Sequence, residues 1–277
     1  MKFLQTLSIA LSLAVSAEAA LVAYYEFDET SGTSIGDSSG NGFDGSVIGS
    51  GDLNVSGYVG SGYQPGSGGS DYGSVSGGVS DFGIGGNDAR TIAFWFNTSG
   101  FGGATDQYRL IGTGSTGAGT AFNIVAESST GANRIGLRYG NGNVYFDADN
   151  SGTAFATGTW YHVAVVYDGS TLDLESVGTA SDGTGLVFYV NGVEVDTAAG
   201  NLNNGTQALS TALTDFAFGA NEDGTQGFYP GLLDEVRVYD EALGAGAIAT
   251  LAAVPEPTFA TLAGALGLLL LLRRRRS

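Results

Sequence analysis

WYHVAVVYD (160–168), followed after an acidic stretch by VFYVNGVEVD (187–196), is the part of the chain that decides the fold. In an extended backbone, successive side chains point to opposite faces. Tyr161, Val163, Val165 and Tyr167 therefore line one face, and His162, Ala164 and Val166 the other. Both faces are largely apolar, which predicts a strand buried between two layers. In the second stretch, Asn191-Gly192 sits between two β-rich arms. Asn-Gly supplies the two positive-φ residues of a type I′ turn, so this segment reads as a hairpin.

The same signature recurs outward in both directions. LVAYYEF (21–27), TIAFWFN (91–97), YRLIGT (108–113), AFNIVAE (121–127), RIGLRY (134–139) and NVYFDA (143–148) precede the decisive stretch, and DFAFGA (215–220) and LLDEVRVYD (232–240) follow it. β-Branched and aromatic residues fill these runs, and turns rich in Gly bound them. An ordinary helical pattern appears in the body only at EALGAGAIATLA (241–252). No strand–helix–strand alternation exists, so the sum is an all-β antiparallel sandwich with a late helical turn. Segments 49–90 and 169–185, the richest in Gly, Ser and Asp, read as long connections.

The two ends differ from the body. MKFLQTLSIALSLAVSAEAA opens with Lys2, continues with an apolar run and closes on small residues, with Ala17-Glu18-Ala19 in the form of a signal-peptidase site. Residues 1–19 are thus expected to be a signal peptide, and residues 20–253 the exported domain. That domain keeps five arginines, no lysine and 26 of the 28 acidic residues, a net charge of −21. Such a surface repels phosphate backbones and excludes nucleic acid as a partner. The chain has no cysteine, which excludes thiol chemistry and disulfides, and its one histidine makes any Ser-His-Asp triad depend on His162.

LVAYYEFDETSGTSIGDSSGNGFDGSVIG (21–49) resembles the opening of the LamG-like jelly-roll family, the laminin-G-type branch of the concanavalin A-like lectin/glucanase folds. TIAFWFN resembles its first inner strand, TWYHVAVVYDGS its Trp-x-His-Val-Ala strand, and GLVFYVNGVEV its Tyr-Val-Asn-Gly hairpin. FYPGLLDEVRVYDEALGAGAIATL resembles its closing strand and short helix. The resemblance implies a two-sheet antiparallel jelly roll of about a dozen strands, exported and binding carbohydrate or protein without catalysis. The acidic segment 172–185 departs from the pattern and reads as an insertion before the hairpin.

Function does not follow from a fold, so the side chains are weighed separately. Fold relatives that cut β-glucans align carboxylates along one strand. Here Glu26 and Asp28 fall on one face, but Thr30 stands where a third acid would be needed, which argues against catalysis. His162 lies among apolar neighbours, where a buried, hydrogen-bonded structural histidine is expected. The DSSGNGFDG loop offers Asp37, Asn41 and Asp44, and the resemblance adds Asp234 near the closing strand, as ligands for one structural Ca²⁺. DADNSG (147–152) imitates half of an EF-hand loop but has Gly158 at the twelfth position, and reads as an ordinary turn. Tyr58, Tyr72, Phe101 and Tyr108 lie in or near Gly-rich loops and are candidates for stacking on a glycan or exopolysaccharide.

VPEPTFATLAGALGLLLLLRRRRS (254–277) closes the chain. Thr258 to Leu272 spans about 22 Å as a helix, short of the roughly 30 Å hydrocarbon core of a bilayer. Arg273, Arg274, Arg275 and Arg276 would stay cytoplasmic. Pro255-Glu256-Pro257, an apolar helix and an arginine cluster in that order resemble the PEP-CTERM sorting signal. This implies a transient membrane hold, an exosortase-type membrane protease as partner and release of the body outside the cell. The expected protein is an exported, non-catalytic module that binds glycan or matrix. A glycan-cleaving enzyme of the same fold and a purely structural adhesion protein remain the alternatives.

Overall fold

The computed structural model describes residues 20–66, 69–103, 107–115, 120–129, 132–139, 143–147, 155–173, 185–195, 197–198, 206–207 and 209–253. Two antiparallel sheets face each other. The eight-stranded sheet runs β16 (Val193–Val195), β15 (Leu186–Val190), β13 (Trp160–Tyr167), β7 (Arg90–Asn97), β20 (Leu232–Tyr239), β5 (Ser61–Gln64) and β4 (Asp52–Ser56), and β1 (Leu21–Tyr25) also pairs with β20. The ten-stranded sheet runs β17 (Thr197–Ala198), β12 (Asn143–Asp147), β11 (Ala132–Arg138), β10 (Asn123–Ser129), β9 (Tyr108–Thr113), β19 (Phe216–Phe218), β6 (Tyr72–Val75), β3 (Gly45–Ile48) and β2 (Ser34–Ile35). β8 (Gly102–Gly103) adds to β10, and β14 (Leu172–Asp173) pairs with β18 (Thr206–Gln207) apart from both. The helices α1 (Gly78–Asp81) and α2 (Ala245–Ala252) are short. Among the described residues no helix is long and apolar enough to cross a membrane.

The strand predicted at 160–168 is β13, at the centre of its sheet. Tyr161, Val163, Val165 and Tyr167 enter the main core with Ile92, Phe94 and Phe96 of β7 and Phe188 of β15. Ala164 and Val166 form a second cluster with Ala93, Tyr189 and Ile248 of α2 on the far side of the sheet. The two apolar faces seen in sequence thus have two different covers: the opposite sheet and a helix. Asn191 and Gly192 have φ values of 49° and 80° and close the β15–β16 hairpin as predicted.

Two expectations need correction. Segment 49–90 is not a long connection, because β4, β5, β6 and α1 lie in it. Each of these strands sends few large side chains inward (Leu53, Tyr63, Val75) between Gly and Ser, so no hydrophobic period is visible in the sequence. Glu26 and Asp28 do not share the face of a regular strand. β1 ends at Tyr25, and the buried Phe27 between them takes a φ of 54°. Their carboxylates instead hold loops: Glu26 accepts from the Ser38 hydroxyl (2.6 Å) and Asp28 from the Ser61 amide (2.7 Å).

Candidate functional site

Three of the body's five arginines share one surface. In β10 and β11, Ile124, Ala126, Ile135 and Leu137 face the core. The alternating positions Val125, Glu127, Arg134, Gly136 and Arg138 therefore face outward. On β9 a register irregularity opposite Ile124/Val125 lets Leu110 and Ile111 both enter the core and sets Arg109 opposite Val125. The outer face of the ten-stranded sheet thus carries Arg109, Arg134 and Arg138 on two strands that flank β10.

These groups are tied together. Gln107 Nε2 donates to Glu127 Oε2 (2.7 Å), Arg134 Nη1 lies 3.9 Å from Glu127 Oε1, and Arg138 Nη1 donates to Gln107 Oε1 (3.4 Å). Arg109 Nη1 donates to the Gln107 carbonyl (2.6 Å). Gln107, Arg109 and Glu127 are buried, whereas Arg134 and Arg138 are half-buried, so the cluster opens along β11.

The loop 219–229 lies across the same face. Its hub is Asn221, whose Oδ1 accepts from the amides of Thr225 (2.9 Å) and Gln226 (2.8 Å). The loop can approach because the sheet has Gly112 beneath it: a Cβ there would stand 2.2 Å from the Ala220 carbonyl. On the loop side, a Cβ on Gly227 would stand 2.7 Å from Arg109 Cδ. Glu222 on this loop is 9% exposed, and its Oε2 has no hydrogen-bond partner. Burial raises its pKa, with the Asp223 charge adding to the rise and Arg109 opposing it. Tyr72, half-buried on the outer side of β6, brings its ring against Gly224 of the loop. Planar guanidinium and amide donors, an unmet carboxylate acceptor and an aromatic ring are what recognition of a polyhydroxylated ligand requires.

Of the four aromatics proposed for ligand contact, Tyr72 alone joins this face. Tyr108 alternates with Arg109 and packs inward on the core, edge-on to Tyr229 at 6.4 Å. Phe101 also packs against the core, near Phe155. Tyr58 lies on the other sheet, stacked on Trp95. The sequence reading passed over Arg109, Glu127, Arg134, Arg138 and Glu222. A signal was present in RIGLRY, where the only charged residues stand four apart and so on one side of a strand.

The residues proposed for Ca²⁺ divide between two places. Asp37, Asn41 and Asp44 share one loop. Asp37 Oδ1 accepts from the amides of Tyr24 (3.0 Å) and Ser39 (2.9 Å), and Oδ2 from the Phe43 amide (3.0 Å) and Ser39 hydroxyl (2.8 Å). Burial opposes ionisation of Asp37, but these hydrogen bonds outweigh it and lower the pKa. All four lone-pair positions of the carboxylate are used. Asp44 Oδ1 accepts the Asp37 amide (2.8 Å), and Asn41 Nδ2 donates to the Val22 carbonyl (2.8 Å). Asp234 lies instead on β20, where Oδ2 accepts from the amides of Tyr58 (2.7 Å) and Val59 (2.9 Å). Among the described residues no three His, Asp or Glu side chains converge as a metal would need. Asp37, Asn41 and Asp44 close the DSSGNG loop through their own hydrogen bonds, and Asp234 holds a different turn from β20.

His162 is buried as expected, but it is not hydrogen-bonded through its side chain. Neither ring nitrogen has a partner, and the ring packs edge-on to Trp95 at 5.4 Å. Pro255, Glu256, Pro257 and Arg273 to Arg276, the signal peptide, residues 148–152 of the EF-hand-like stretch and residues 174–184 of the insertion lie outside the described residues.

Residues 67–249 match the family model described as the concanavalin A-like lectin/glucanases superfamily. The chain belongs to that superfamily. No curated protein sequence matches it. Among solved structures it is similar to domain 4 of AbnA, a GH43 extracellular arabinanase of Geobacillus stearothermophilus in complex with arabinotriose. There the TM-score is 0.57 and the identity 20%, over 85% of this chain and 100% of that one. It is also similar to botulinum neurotoxin type C, described as dependent on two ganglioside molecules for cell entry (TM-score 0.54, 14% identity, 84% of this chain and 50% of that one). A Trypanosoma rangeli sialidase mutant with trans-sialidase activity gives a TM-score of 0.55 at 15% identity, over 84% of this chain and 32% of that one. At these identities the likeness is one of fold.

Proposed function

We propose that this protein is an exported, non-catalytic carbohydrate-binding module, and that it holds glycan on the outer face of its ten-stranded sheet. The observation that carries the reading is the gathering of Arg109, Arg134 and Arg138 with Gln107 and the unmet Glu222 oxygen on that face. A superfamily of lectins and glucanases, and neighbours described with arabinotriose or gangliosides, support it. The arginines are fixed by Glu127 and Gln107, so they enter binding with little loss of side-chain entropy.

A glycan array followed by calorimetry on the exported body tests this. At least one glycan is expected to bind, and Arg138→Ala to weaken it by about tenfold or more, the worth of one hydrogen bond to a charged group. Absence of binding to every glycan overturns the reading. Release of new reducing ends from a bound glycan would make the protein an enzyme.

The tail belongs to the same proposal: an exosortase-type protease severs it near Pro255-Glu256-Pro257, leaving the module at the bacterial surface or in its exopolysaccharide. Mass spectrometry of the extracellular protein is expected to find no peptide through Leu268–Arg276. Such peptides would instead mark the tail as a lasting anchor.

A further inference from the structure

The opposite sheet carries a second set of unmet groups. Trp95 lies in register between His162 of β13 and Asp234 of β20, so all three side chains stand on the outer face of the eight-stranded sheet. His162 is 1% exposed and Asp234 fully buried. Both His162 ring nitrogens and Asp234 Oδ1 lack a hydrogen-bond partner. Buried polar atoms without partners are rare in native proteins and ask for a cause. Here three occur in one cross-strand row.

Tyr58 covers that row. Its ring stacks on Trp95 with centroids 3.4 Å apart and planes 18° from parallel, and Trp160 stands 6.0 Å away. Tyr58 belongs to the turn between β4 and β5, closed by Gly57 N–H donating to the Gly60 carbonyl (3.2 Å). Asp234 Oδ2 latches the turn through the Tyr58 and Val59 amides. Val59 on the same turn is exposed. The turn is therefore a small, solvent-facing flap whose Tyr58 ring occupies the Trp95 face while leaving the polar atoms beside it unsatisfied.

We propose that this row is a second saccharide site, separate from the arginine face, in which a neutral sugar ring replaces Tyr58 on Trp95. The apolar face of the sugar stacks on the indole, its hydroxyls donate to Asp234 Oδ1, and they exchange hydrogen bonds with the imidazole of His162. Opening breaks the two Asp234 latch bonds and the Tyr58–Trp95 stack. Gly57 and Gly60 (φ 61°), at the two ends of the turn, take up the backbone change. A neutral ligand fits because the body carries a net charge of −21, and Glu235 beside the row is already paired with Arg237.

The chain has two tryptophans, Trp95 and Trp160, both at this row, so intrinsic fluorescence reads the site directly. The exported body is titrated with methyl pyranosides of glucose, galactose, mannose and N-acetylglucosamine and with their oligomers. A saturable emission change with at least one of them is expected. Tyr58→Ala, which removes the competing ring, is expected to tighten that Kd about tenfold. Amide exchange at Tyr58 and Val59 in the unaltered chain is expected to change with saturating sugar, a measurement that needs no variant to fold. Arg138→Ala, on the other sheet, is expected to leave the fluorescence titration unchanged. Three results would each overturn the proposal: no saturable response in either protein, a weaker Kd in Tyr58→Ala, or loss of the response in Arg138→Ala. The last would assign the signal to the arginine face.

Discussion

Asp234→Asn is expected to gain stability over the unaltered chain as pH rises, from no gain near pH 4 to on the order of 3 kcal/mol at pH 7. Burial pushes the Asp234 pKa from 3.8 up to about 7, with the two turn amides opposing the rise and Glu235 adding to it. Between those values the unfolded chain ionises this group while the folded chain does not. The unfolded state is favoured increasingly, so stability falls as pH climbs through the window and levels off above 7. Asparagine keeps an acceptor for the Tyr58 and Val59 amides and has no charge to strand. His162 works in the opposite sense. Burial, aided by the Arg237 charge, lowers its pKa from 6.5 to about 4. Between pH 4 and 6.5 the unfolded chain binds a proton that the folded chain refuses, so this contribution improves as pH rises. His162→Leu is therefore expected to gain most near pH 4, with that pH-dependent gain gone above 6.5. Urea unfolding of the three proteins from pH 4 to 8 at constant ionic strength checks both slopes. Parallel profiles would show that neither group is held in its neutral form.

Arg90→Ala is expected to cost about 4 kcal/mol and Arg90→Met about 1 kcal/mol. Arg90 is fully buried, and its guanidinium sits over Phe122 (5.0 Å) and Tyr167 (5.5 Å). Its donors reach the Asp88 carbonyl (2.9 Å), Thr211 Oγ1 (3.0 Å) and the Gly86 carbonyl (3.1 Å), which ties the 86–88 loop to the bridge at Thr211. Burial lowers its pKa to about 10, so it stays charged at neutral pH and bears the desolvation cost. Alanine leaves those acceptors unmet and adds a cavity beside Phe122 and Tyr167. Methionine fills most of the volume and keeps an apolar contact with both rings, and loss of the buried charge offsets much of the lost hydrogen bonding. Equal losses in the two variants, measured by urea unfolding, would mean that the charge itself stabilises this site.

Much of the fold was legible because strand alternation is a local property. β7, β13, β15 and β20 carry long apolar runs, and Asn191-Gly192 marks the β15–β16 hairpin without help from distant residues. β4, β5 and β6 were not legible: each offers a single large inward side chain, and the rest of its case is made by strands far away in the chain. The functional face suffered most. Arg109 and Arg138 are 29 positions apart and meet through β10, so only the register of three strands places them together. Tyr72 and Tyr108 look alike in sequence, yet one faces outward and the other the core, because pairing and the β9 irregularity set the face.

Local chemistry thus dictated an acidic, cysteine-free antiparallel sandwich, its central strands and its hairpin, since backbone alternation and turn geometry depend on adjacent residues. Tertiary pairing alone decided that Asp234 latches the Tyr58 turn and that three arginines share a face. Both outcomes depend on which groups, tens or hundreds of residues apart, satisfy one another's hydrogen bonds once water is excluded.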